Sequence, residues 1–122
     1  MTFVSTVLPV LDNSGGLLVK CIRIYGKPNR GQATLGSILL VSVKTYRTHR
    51  KVKRSQVLKC ILCRIKHTVL RHSGYYVKCK NSGVVLLNAR MTPLASRVLG
   101  PIMKETKRKG FLSIIGLASY VI

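Results

Sequence analysis

Carboxylates are almost missing from this chain. Its 122 residues hold only Asp12 and Glu105 against twenty-two lysines and arginines, a formal charge of +20. General acid–base catalysis usually draws on positioned Asp, Glu or His, and two acids so far apart in sequence argue against a paired-carboxylate site. Asp12 reads as a capping residue in a turn, and Glu105 as one half of an exposed helix pair with Lys109, worth about 0.3–0.5 kcal/mol. His49, His67 and His72 lie among Lys and Arg, which suits them to a polyanion rather than to base chemistry. A phosphate-cradling loop is missing too, since Gly26 to Gly36 lacks the Lys-Ser/Thr ending of a P-loop. The expectation is a protein with no catalytic residues.

A long apolar run is also lacking. The best, Phe111 to Ile122, falls short of the roughly 20 residues that span a bilayer. Met1-Thr2-Phe3-Val4 opens neither a secretory signal nor an Arg- and Ser-rich transit peptide, so the chain is expected to work where it is made or to have been processed already. Of the four cysteines, Cys60 and Cys63 have the spacing of half a zinc site, but no second close Cys or His pair completes it. Both fall in an expected strand, where residues three apart face opposite ways. Cys21, Cys60, Cys63 and Cys79 therefore read as buried free thiols, with no metal and no cofactor.

What is present is positive charge in blocks. Residues 1–19 carry no Lys or Arg, while residues 20–80 carry sixteen of the twenty-two. Two carboxylates cannot neutralise that charge internally, so a polyanion must. Apolar residues nevertheless make up 47% of the chain, enough for one modest core in one domain.

The pattern is mainly β: short β-branched runs separated by turn chemistry. Strands are expected at Phe3–Val10, Leu17–Tyr25, Ser37–Val43, Val57–Lys66 and Val84–Asn88. In the second, Leu18, Ile22 and Ile24 share one face and Cys21, Arg23 and Tyr25 the other. Asp12 to Gly16 is a turn, and Thr68–Cys79 a hairpin turning at Ser73-Gly74. Strands so short suggest a small closed barrel, about residues 1–90, followed by a short helical region, about 95–122. Pro101 after Gly100 marks a helix start and Gly110 its stop, with a further helical turn at Phe111–Leu117.

The strongest functional feature is the basic loop Thr45–Ser55. Lys44, Arg47, Arg50, Lys51, Lys53 and Arg54 are interrupted by Tyr46 and His49. Guanidinium forks bind phosphates, and Tyr or His can stack on unpaired bases, which RNA offers more readily than duplex DNA. Arg23, Lys27, Arg30, Arg64, Lys66 and Arg71 add to the same surplus. DNA reading would usually bring a recognition helix, and a cationic membrane anchor would need basic and apolar faces on one element; neither fits. A free-standing RNA-binding regulator stays open as the alternative to a structural RNA-binding protein.

Several separated blocks then resemble one family in order and at near-family spacing. They are Asp12-Asn13-Ser14-Gly15, Cys21-Ile22-Arg23, Gly36-Ser37-Ile38, Val41-Ser42-Val43-Lys44, Arg64-Ile65-Lys66, Gly74-Tyr75-Tyr76, Ser96-Arg97-Val98-Leu99-Gly100-Pro101 and Phe111 to Ala118. Together they resemble universal large-subunit ribosomal protein fourteen, of the bacterial and organellar type. The resemblance implies a five-stranded barrel with a protruding hairpin and two small C-terminal helices. It implies binding to large-subunit rRNA, neighbours in large-subunit proteins three and nineteen, and bridges to small-subunit rRNA. By position, the bridge stretches would be Lys44, Thr45, Tyr46, Arg47, Thr48 and His49, with Gly116, Leu117, Ala118 and Ser119. A ribosome-silencing factor would meet Ser96, Arg97 and Lys109. Ser37, Ser73, Ala95, Ser119 and the stretch Lys78-Cys79-Lys80-Asn81-Ser82 depart from the family pattern and raise the charge. A divergent, very basic member points to a mitochondrial ribosome, with a bacterial or plastid ribosome as the alternative.

Overall fold

The computed structural model describes residues 2–26, 31–108 and 110–122. Its centre is a five-stranded antiparallel sheet of β1 (Val7–Pro9), β2 (Gly16–Ile24), β3 (Ile38–Tyr46), β4 (Val57–Arg64) and a later strand, Gly83–Leu87. Between the last two, Val69–Leu70 (β5) and Tyr76–Val77 (β6) make a separate hairpin, so Gly83–Leu87 is β7. The sheet curls until its two edges meet: Val10 bridges to Val84, and the Leu11 N–H donates to the Val84 carbonyl at 2.9 Å. That closure satisfies edge groups that would otherwise stand open.

Two apolar cores share the β4 and β7 strands. Cys60, Leu62, Val84 and Leu86 point into the barrel with Val19, Val41 and Val43. The alternate residues Ile61, Cys63, Val85 and Leu87 point outward, beneath Val98, Ile102 and Ile114 of the C-terminal region. Both strands are thus covered on both faces, which is why they read as unbroken apolar runs. The alternation also sends Cys60 and Cys63 to opposite sides. All four cysteines are buried and unbonded to one another, and burial pushes the Cys63 thiol up to about 12.

The C-terminal cover is β8 (Val98–Ile102), α1 (Glu105–Arg108), α2 (Leu112–Leu117) and β9 (Ala118–Val121), with β8 and β9 paired in parallel. Here the expected helix start is corrected. Gly100 has φ +76° and sits with Pro101 inside β8, at a break in its register. A proline without an N–H is tolerated at such an irregular edge, and the helix begins only at Glu105. The strand β9 was not foreseen at all.

Two further expectations change. The first strand is shorter than Phe3–Val10, because Ser5 adopts φ +72° in a turn where Thr6 Oγ1 accepts the Phe3 N–H at 3.1 Å. The expected two faces of β2 also fail. A register shift between Cys21 and Arg23 places Val19, Cys21 and Ile24 inside, and leaves Leu18, Ile22 and Arg23 outside. A bulge inserts one extra residue and so reverses the period-two reading beyond it.

Candidate nucleic-acid interface

The turn and the basic loop are built as one unit. Asp12 is buried, and its carboxylate accepts the Ser14 N–H at 3.0 Å, the Ser14 hydroxyl, and the Leu86 N–H at 3.0 Å. It is a capping residue, as its turn context suggested, and it also ties the turn to β7. Burial raises its pKa, partly offset by the Ser14 and Leu86 hydrogen bonds. Gly15, at φ +107°, lies so close to the loop that a Cβ there would stand 2.2 Å from the Arg50 Cβ. The Arg47 N–H donates to the Gly15 carbonyl at 2.7 Å, and Lys51 Nζ reaches the Leu94 carbonyl at 3.1 Å. The loop therefore does not float: its stems lie on the turn and its cationic ends face outward.

Lys44, Tyr46, Arg47, His49, Arg50, Lys51, Lys53 and Arg54 are all exposed. A cleft of about 410 Å³ runs between the loop and the Asn13–Ser14 turn, with His49, Arg50 and Lys51 on one wall and Ser96 on another. Asn13 holds that second wall, accepting the Arg97 N–H at 3.2 Å and donating to Ser96 Oγ at 3.3 Å. Arg47 and Arg50 also line a neighbouring cleft with Leu99, and Leu99 in turn lines a third with Arg97, Leu117 and Ser119. Arg47 from one stretch and Leu117 and Ser119 from the other, distant in sequence, thus line clefts that share one exposed leucine, Leu99.

The remaining expected contacts separate into groups. Arg23 is exposed on β2, and its guanidinium carbon lies 5.5 Å from the Tyr25 ring centre; Lys59 Nζ from β4 lies 5.4 Å from the same ring. Tyr25 thus gathers two cations on the outer wall. Lys59 was not singled out from the sequence, although its outward place follows from strand alternation once β4 is known. Lys66 is exposed. Arg64 is half-buried and donates to the Pro101 carbonyl at 3.4 Å. Arg71 turns inward: it pairs with Glu105 at 3.0 and 3.3 Å and donates to the Ile122 oxygen at 2.6 Å. Among the described residues the partner of Glu105 is Arg71; its expected partner, Lys109, is not among them. Lys27, Arg30 and Lys109 lie outside the described residues. Among the described residues, no cluster of three or more His, Cys, Asp or Glu is placed to hold a metal.

Every exposed charge described here is positive, on a barrel whose motifs follow one another in family order. The family described as ribosomal protein L14p/L23e matches residues 1–122. The chain belongs to the ribosomal protein L14 family. That is a family of large-subunit ribosomal proteins, structural rather than enzymatic, so the chain's place is the ribosome and its work is in translation.

Proposed function

We propose that this L14-family protein binds large-subunit rRNA through the basic loop and the Arg23–Tyr25–Lys59 wall, and that it carries bridges to small-subunit rRNA. The observation that supports this reading best is the loop's fixation: stems seated on the turn at Gly15, cations directed outward. A fixed array of cations loses less entropy on meeting phosphates than a free tail does. Arg23, Lys44, Arg47, His49, Arg50, Lys51, Lys53, Arg54 and Lys66 are the contacts proposed. Arg64 and Arg71, each bonded within the protein, are positioning residues.

The bridge surface proposed is Lys44–His49 with Gly116–Ser119, in accord with their adjoining clefts around Leu99. Proteins three and nineteen of the large subunit are the proposed neighbours, and the surface at Ser96 and Arg97 the one for a silencing factor. The compartment proposed is the mitochondrion, which the extra basic residues favour over a bacterial or plastid ribosome.

Sedimentation of the tagged protein from mitochondrial lysate, with sequencing of the co-migrating RNA, tests this. Migration with the large subunit and its rRNA through moderately high salt is the expected result. A light, salt-labile species carrying mixed RNAs would overturn it in favour of a free-standing regulator.

A further inference from the structure

The three most exposed large apolar side chains among the described residues all lie on the β5–β6 hairpin: Tyr75 at 73%, Tyr76 at 70% and Leu70 at 62%. Leu70 and Tyr76 are cross-strand partners, so they share one face and form a flat apolar surface. The Tyr75 carbonyl accepts the Arg71 N–H at 2.9 Å, which carries the ladder towards the tip. The stem is held from the other side. Val69 and Val77 pack near Met103, and Arg71 clamps Glu105 and the Ile122 oxygen. A rigidly rooted hairpin with tyrosines in water is unusual, because such groups normally find cover or a partner.

The surrounding charge selects the partner. Lys66, Lys78 and Lys80 are exposed beside the hairpin, and the one nearby acid, Glu105, is already neutralised by Arg71. A cleft of about 280 Å³ between hairpin and α1 is lined by Leu70, Arg71, His72, Ser73, Lys104 and Glu105. Aromatic rings beside cations suit unpaired bases on a phosphate backbone, and every base has a face that can stack.

We infer that the hairpin is a stacking platform for unpaired RNA bases, with Tyr76 and Leu70 as one face, Tyr75 as a second contact, and Lys66, Lys78 and Lys80 on the phosphates. This rests on the RNA-binding reading above but uses a surface separate from the basic loop. The test uses the full chain, a labelled oligouridylate and an RNA duplex of similar length. Tyr75→Ala with Tyr76→Ala should weaken oligouridylate binding at least about five-fold per stacked base, leave duplex binding unchanged, and be rescued by Phe at both positions. A variant with Gln at Arg47, Arg50 and Lys51 should weaken both probes. Unchanged oligouridylate affinity in the double Ala variant, with the loop variant still impaired, overturns the platform and leaves RNA binding standing. Wild-type protein that binds neither probe overturns both. In assembled particles, a photo-crosslinking amino acid at Tyr76 should attach to RNA; attachment to a protein instead would overturn the proposal.

Discussion

Replacing Arg47, Arg50 and Lys51 together by Gln removes three charges while keeping most of each stem. The Arg50 stem matters because it lies against Gly15, and the loop's path depends on that contact. Each phosphate neutralised adds about 0.7 to 0.9 to the slope of log affinity against log salt. If all three cations meet phosphates, the slope should flatten by about 2.1 to 2.7. A four-fold rise in salt would then shrink the wild type's advantage by roughly twenty- to forty-fold, so the two binding curves should converge. Lys51 is the weakest of the three, since its ammonium already donates to the Leu94 carbonyl. A loss smaller by one contact would single it out. The assay is filter binding or anisotropy on a large-subunit rRNA fragment over a salt series, with circular dichroism to show that the barrel is intact. Parallel slopes for variant and wild type would refute the reasoning, because a weaker complex with unchanged slope has lost shape and not phosphate contacts.

Gly15→Ala should destabilise the fold by about 2–4 kcal/mol, combining a strained positive φ with a clash at the Arg50 stem. It should also weaken RNA binding although no charge is lost; an unchanged urea midpoint would count against the close approach. Asp12 has a pKa raised by burial, so its ionised form weighs against the fold, and that cost should vanish as pH falls from above its folded pKa to below its unfolded one. Asp12→Asn should lose about 1–3 kcal/mol at neutral pH by leaving the Leu86 or Ser14 donor unmatched. The stability gap between wild type and Asp12→Asn, followed by urea titration, should widen on acidification through that window; a narrowing gap would reverse the assigned sign. Cys60 and Cys63, buried and with raised thiol pKa values, should resist a thiol reagent at mildly alkaline pH until the protein is unfolded. Prompt labelling of either, or stoichiometric zinc in the purified protein, would contradict the two-core packing.

The sequence was most legible where one physical rule acts alone. The unbroken runs at Cys60–Cys63 and Val84–Leu87 announce strands, and the Asp12–Gly16 pentad announces its turn. The Ser73-Gly74 hairpin was equally plain, with Gly74 at φ +86°. Legibility failed where a local signal had two meanings. Gly100-Pro101 is a helix start by statistics, yet the pairing of β8 with β9 turns it into a strand irregularity. The β2 bulge is invisible to a period-two count because nothing at Cys21–Arg23 marks the extra residue. At the site, charge density pointed to the loop. Only the fold could show that Arg71 is spent on Glu105, or that Lys59 joins Arg23 at Tyr25.

The placing of the two acids helps a domain of charge +20 remain a folded barrel with no exposed acid among the described residues. Asp12 is withdrawn into the turn that anchors the basic loop, and Glu105 into the clamp that roots the hairpin. Asp12 therefore organises the basic loop from beneath, while Glu105, half-buried in a cleft beside the hairpin, has its charge paired with Arg71. An exposed, unpaired carboxylate in either place would lower the self-repulsion of the free protein, but it would also oppose the RNA proposed to bind there. The repulsion that remains is long-ranged, and a bound polyanion would relieve it. On the RNA-binding reading proposed above, folding and binding draw on the same charges with opposite sign: the cations that strain the isolated domain are those that would hold it in the particle.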